Sequence, residues 1–216
     1  MKQLLFVWGA CAILSCSTPR KEVHPTNNMR WADVDSLLKN HIKTRPDIES
    51  GLADIRSMLA KDSNQHIVSG IDISRLKEEF RDFLRKTLKE NPLPRDIKGL
   101  SFGLFTMAEG GDDLTTLYLC GSTRIPPADD DWAVGPEYFP RYYCVFIDFE
   151  SINEKYSMTG DQEVLVFNGI TNLLIINIVG EFRSDILRKR DVMYVGAGFD
   201  EGDTYIIGKL TKDRLQ

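Results

Sequence analysis

The sequence predicts an α+β fold, with N-terminal helices packed on an antiparallel sheet of about five strands. Three observations carry that expectation. Between Met29 and Asn91 apolar residues recur at the helical period. From Lys98 onward, runs of β-branched and aromatic residues alternate with turns rich in glycine and acids. The composition, 42% hydrophobic and 27% charged over 216 residues, is that of a chain able to bury a core.

The helical block holds three stripes. Trp31, Val34, Leu38, His41 and Ile42 form the first; Ile48, Leu52, Ile55 and Leu59 the second; Leu76, Phe80, Phe83, Leu84 and Leu88 the third. Pro46 suits the first turn of the second helix, and Asp72 or Ser74 the cap of the third. Pro92 and Pro94 end the block. Aromatic residues at this spacing read as core.

Five strand-like runs follow. Residues 100–107 and 114–121 flank Glu109-Gly110-Gly111-Asp112-Asp113, whose glycines supply the backbone of a hairpin reversal. Residues 142–149, YYCVFIDF, read as a third strand. Residues 192–199 and 204–210 flank a second acidic turn, Asp200-Glu201-Gly202-Asp203. The stretch 164–182 is ambiguous: it is rich in β-branched residues, yet Leu165, Asn168, Asn172 and Ile176 recur near a helical period. Its length favours a helix buried on most sides, because strands rarely run so long.

The N-terminus has a different character. An apolar run from Leu4 to Leu14 is too short to cross a bilayer as a helix, which takes about 20 residues, and matches the core of a secretory signal. Ile13-Leu14-Ser15-Cys16 resembles the lipobox of bacterial lipoproteins, in which the cysteine is lipidated and becomes the mature N-terminus. That resemblance implies a signal peptide over 1–15, a lipidated Cys16, a polar tether over 16–28 and a single domain over 29–216. It also implies anchoring in a bacterial envelope membrane, and Ser17 after the cysteine resembles the outer-membrane sorting pattern of Gram-negative lipoproteins. Net charge is -5, and loss of Lys2 with the signal leaves -6. With Lys and Arg scattered, nucleic acid is not an expected partner. The densest basic group, Arg188-Lys189-Arg190, reads as a solvated helix end complementing the helix dipole.

Cys120 and Cys144 remain after the signal and the lipid site are set aside. Both lie in apolar strand-like runs, so buried free thiols are expected over a disulfide. His24, His41 and His66 lack ligand-like spacing, and no CxxC occurs, so neither a zinc site nor any other cofactor is expected.

The connection from Ser122 to Tyr142 is long for neighbouring strands, and such loops are usually functional or disordered. Its rings, Trp132, Tyr138, Phe139, Tyr142 and Tyr143, favour burial, and four prolines stiffen it. An ordered loop with Asp129-Asp130-Asp131 at its tip is therefore expected. Three uses of that tip stay open beside a purely structural one. The aspartates can bind calcium, though the spacing of an EF-hand is missing. They can supply a carboxylate pair to a hydrolase, though neither GxSxG nor HExxH occurs. Or they can give charge complementarity to a protein partner, with Trp132 as anchor.

The stretches SFGLFT, DDDWAVGPEYFP and VGAGFDEGDTYIIGKL, spread over residues 98–210, resemble small α+β proteins of bacterial genomes, many uncharacterised and some grouped with the immunity proteins of polymorphic toxin systems. The resemblance implies a non-enzymatic binder of a protein toxin or another envelope protein. It would place the contact at Asp129, Asp130, Asp131, Trp132, Asp200, Glu201 and Asp203. An envelope hydrolase or a calcium-binding module using 129–131 is the alternative.

Overall fold

Each N-terminal stripe becomes a helix: α1 over Trp31–Thr44, α2 over Ile48–Leu59 and α3 over Ile73–Glu90. The structure, a computed structural model, describes residues 29–109, 112–126, 131–140, 142–200, 202 and 204–216. The lipobox and Cys16 therefore lie outside the described residues. Asp47 starts α2 by accepting the Ser50 N–H at 2.8 Å, and Pro46 sits one residue before that cap. Asp72 starts α3 by accepting the Arg75 N–H at 3.1 Å.

The strands are β1 Gly99–Glu109, β2 Asp112–Ser122, β3 Tyr143–Cys144, β4 Val192–Phe199 and β5 Tyr205–Thr211, in the spatial order β3-β2-β1-β4-β5. The α+β class and the five strands agree with the sequence; the wholly antiparallel sheet does not. Two antiparallel hairpins, β1-β2 and β4-β5, lie side by side with β1 and β4 parallel, Gly99 opposite Tyr194 and Leu104 opposite Phe199. A parallel neighbour needs a long crossover, and the chain between β2 and β4 supplies one. Most of that crossover is helical, so helices both precede the sheet and interrupt it.

The run 142–149 departs furthest from its strand pattern. Only Tyr143 and Cys144 pair with β2, after which Ile147–Lys155 forms α4. Phe149 and Ile152 are buried at helical spacing, and Asp148 is buried beside them, its Oδ1 taking the Arg75 guanidinium of α3 at 2.5 Å. A short apolar run fits strand and helix alike, and tertiary packing chose here.

The ambiguous segment is helical throughout. A continuous helix over Gly160–Leu187 contains α5 Gly160–Glu163, a π-helical turn Val164–Asn168, α6 Gly169–Ile178, a 3-10 turn Val179–Phe182 and α7 Arg183–Leu187. By length and composition it could cross a membrane, but 72% of its apolar window is buried against α1, α2, α3 and the sheet. Asn168, Thr171 and Asn172 are buried on it, with side-chain atoms that find no hydrogen-bond partner among the described residues.

Strand alternation sorts the sheet into two faces. Leu100, Phe102 and Leu104 of β1, Leu117 and Leu119 of β2, and Met193, Val195 and Ala197 of β4 are all buried toward the helices. Phe80 of α3 meets Phe102 with ring centroids 5.7 Å apart. The other face carries Gly99, Ser101, Gly103 and Phe105 of β1, Tyr118 and Cys120 of β2, and Gly196 of β4. Cys120 stands opposite Ser101, whereas Cys144 stands opposite Leu117. The two thiols thus point to opposite faces, three residues apart along β2, about 10 Å at strand rise. A disulfide reaches about 7 Å between Cα atoms, and both cysteines are free and buried.

Candidate functional site

The outer face of the sheet lacks side chains where glycine stands, and aromatic rings fill the gaps. A Cβ on Gly99 would lie 2.5 Å from Cζ3 of Trp132, and one on Gly196 2.8 Å from Cζ2 of the same indole. Only glycine lets the ring lie flat across β1 and β4. Tyr118 occupies the corresponding space over Gly103, with Phe105 at 5.8 Å and Phe139 at 5.2 Å between ring centroids. The Tyr118 hydroxyl donates to Asp200 at the end of β4. Burial first, then this carboxylate, raises the phenol well above its ordinary pKa.

The loop that delivers Trp132 is fixed at its base. Gly121 and Tyr138 exchange backbone hydrogen bonds at 2.8 and 3.0 Å. Glu137 accepts the Thr123 N–H at 3.0 Å and the Thr123 hydroxyl at 2.9 Å, and the backbone bond holds its carboxyl below the usual range. The Arg124 guanidinium donates to the Val134 carbonyl, and the Tyr138 hydroxyl reaches the Asn91 carbonyl at 2.6 Å. Trp132 and Tyr138 are buried, whereas Phe139 and Tyr143 stay exposed.

Beside Trp132 a groove of about 450 Å³ opens between α1, the loop and the start of β5. Ile42, Pro126 and Ile206 give it apolar walls, with the indole below. Asp35 is its polar centre. One carboxylate oxygen takes the Lys39 ammonium at 2.7 Å and the other the Tyr205 hydroxyl at 3.2 Å. Both carboxylate oxygens of Asp35 are thus engaged within the groove. Its volume falls in the range of small-ligand pockets, roughly 300–1,000 Å³.

Of the residues singled out in the sequence, Trp132 lines this groove. Trp132, 2% exposed, lines it from below and does not project as an anchor. Asp131 is exposed one residue before it, and Asp200 is exposed and holds Tyr118. Asp129, Asp130, Glu201 and Asp203 lie outside the described residues. The groove is nonetheless bounded by chain neighbours of both acidic stretches, Pro126 and Trp132 around one and Thr204 after the other. Among the described residues no group of three or more histidine, cysteine, aspartate or glutamate side chains could hold a metal ion.

Sequence reasoning missed Asp35, Lys39 and Tyr205, which meet only in three dimensions. The i, i+4 spacing of Asp35 and Lys39 was the one visible signal. It also missed Asp148, which lies in the run 142–149 read as a strand. That side chain lines a small cavity of about 70 Å³ with His66, Ser151, Lys155 and Tyr156. No protein-family model, no curated protein and no solved structure matches this chain.

Proposed function

We propose that this chain is a lipid-anchored envelope protein whose α+β domain is a non-enzymatic, immunity-like binding module. The groove beside Trp132 takes an apolar side chain from a basic segment of a protein partner, a toxin or another envelope protein. The observation that carries this reading is a groove with apolar walls lined by Pro126 and Trp132, which flank one acidic stretch in the sequence, and by Thr204, which follows the other. Acids around such a groove steer a basic partner, and the walls take the anchor. The membrane anchor rests on the lipobox-like Ile13-Leu14-Ser15-Cys16.

A photo-activated cross-linker at Ile206, half exposed on the groove wall, tests the binding claim in envelope preparations of the source cells. Cross-links to a defined protein should form there, be absent from a control position at Lys61, and weaken when Asp129, Asp130 and Asp131 are all changed to Asn. If these acids serve the partner and not the fold, the triple change should leave the melting temperature nearly unmoved. Cross-linking indifferent to the triple change would remove the acids from the reading. A calcium-dependent rise in melting that the triple change abolishes would favour a metal site instead. In the same cells Cys16→Ala should move the protein out of the membrane fraction, because the acyl chains attach through that thiol. Unaltered partitioning would sink the anchor.

A further inference from the structure

The basic run at 188–190 does more than finish a helix. Arg190 alone serves the end of α7: one guanidinium nitrogen donates to the carbonyls of Ile186 at 3.0 Å and Leu187 at 3.4 Å, and the other donates to the carbonyl of Pro94. This fork ties the segment before β1 to the end of α7. It thereby brings Arg95 to the same cavity as Arg188, Lys189 and Arg190, a space of about 400 Å³. Among the described residues none of these four side chains forms an ion pair, although the chain carries a net charge of -5. Arg188 holds a positive φ of 49°, where glycine would close the helix with less strain. Burial, and then Arg188, lower the Arg190 guanidinium from its ordinary pKa, with Asp96 opposing. Like charges thus crowd the cavity, and among the described residues Asp96 forms no ion pair with any of them.

We propose that the cavity bounded by Arg95, Arg188, Lys189 and Arg190 is a binding site for a phosphate group. Guanidinium forks match the oxygens of a phosphate bidentately, and the lysine adds a point charge. The cavity is large enough for a phosphate together with part of the molecule that carries it. Two sources share this chemistry, a soluble phosphorylated molecule and the headgroup of an anionic phospholipid. The site is separate from the groove beside Trp132 and does not depend on its reading.

The test uses the full chain and the double variant Arg95→Gln with Arg188→Gln. Both arginines are exposed and their side chains hold no hydrogen bond among the described residues, so folding should survive, whereas Arg190 is left in place as a structural staple. Calorimetric titration with inorganic phosphate at low salt should show saturable binding, weakened about tenfold or more in the double variant, as loss of charge-assisted bonds requires. In a second arm, binding to phosphatidylcholine vesicles is compared with and without phosphatidylglycerol. A gain that depends on phosphatidylglycerol and vanishes in the double variant assigns the site to lipid headgroups. Phosphate binding without that gain assigns it to a soluble ligand. Absence of both, or equal binding by wild type and double variant, overturns the proposal.

Discussion

Trp132→Ala should destabilise the domain by about 3–5 kcal/mol, the cost of emptying a buried aromatic site that cannot fully collapse. Collapse is blocked because the indole rests on glycines. Gly99 and Gly196 carry no side chain to move into the void, and the strands that hold them are locked by pairing on both sides. A second substitution isolates the contact. Gly99→Ala in the wild type puts a methyl 2.5 Å from Cζ3 and 2.8 Å from Cε3 of the ring, an overlap that costs about 1–3 kcal/mol. In the Trp132→Ala background the nearest remaining neighbour is the Arg124 carbonyl at 3.4 Å, an ordinary contact, so the methyl should cost almost nothing. Urea melts of the four proteins should therefore give a coupling of about 1–3 kcal/mol. Strict additivity, or a loss below about 1 kcal/mol for Trp132→Ala, would show that the loop is ordered without its tryptophan.

That dependence also fixes how the groove works. Its floor is the ring that pins the loop, so Trp132→Ala should remove binding and stability together. Changes at Ile206 or Asp131, both exposed, should separate the two.

What was legible in the sequence follows the reach of each signal. A helical stripe is a local property, and most of its residues behave as one: Ile48, Leu52, Ile55 and Leu59 are all buried, as are Leu76, Phe80, Phe83, Leu84 and Leu88, whereas in the first stripe Val34, Leu38 and His41 are buried but Trp31, at the first turn of its helix, is exposed and not core. The glycine and acid turns likewise announced both hairpins within a residue or two of their strands. The parallel junction of β1 and β4 had no local signal, because it joins segments separated by the whole crossover. Residues 142–149 failed for a different reason. Eight residues are too few to separate a period of two from one of 3.6, and the contacts the helix makes, such as Asp148 with Arg75, reach far away in the chain. The site divides in the same way. The acids and Trp132 stood out as a composition anomaly in one loop. Asp35, Lys39 and Tyr205 did not, and neither did the joining of Arg95 to the 188–190 run. Such clusters arise from topology, which no window of sequence contains.

The second large effect is a steep loss of stability in alkali. Burial pushes the thiols of Cys120 and Cys144 up to about 12, with Asp200 adding to the shift at Cys120 and Glu79 at Cys144. In the unfolded chain the same thiols lose their protons from about pH 8.5. Between those values the native state binds more protons than the unfolded state, so stability falls as pH rises. The contribution is fully present below about pH 8.5 and lost progressively toward pH 12. Each thiol gives a slope of about 1.4 kcal/mol per pH unit, hence about 2.7 for the pair, and from pH 9 to 11 the loss is about 5 kcal/mol. That is comparable to the whole stability of many domains, about 5–15 kcal/mol. Tyr138, also pushed up to about 12 by burial, steepens the fall above pH 10. Urea unfolding at half-unit steps from pH 8 to 11 measures the slope, and the Cys120→Ala, Cys144→Ala double variant identifies its source. The variant should begin less stable at pH 8, because two packed side chains are trimmed, yet lose about 2.7 kcal/mol less per pH unit. If wild type and variant fall in parallel, the buried thiols are not what alkali attacks, and burial at these two positions does not hold their protons in place.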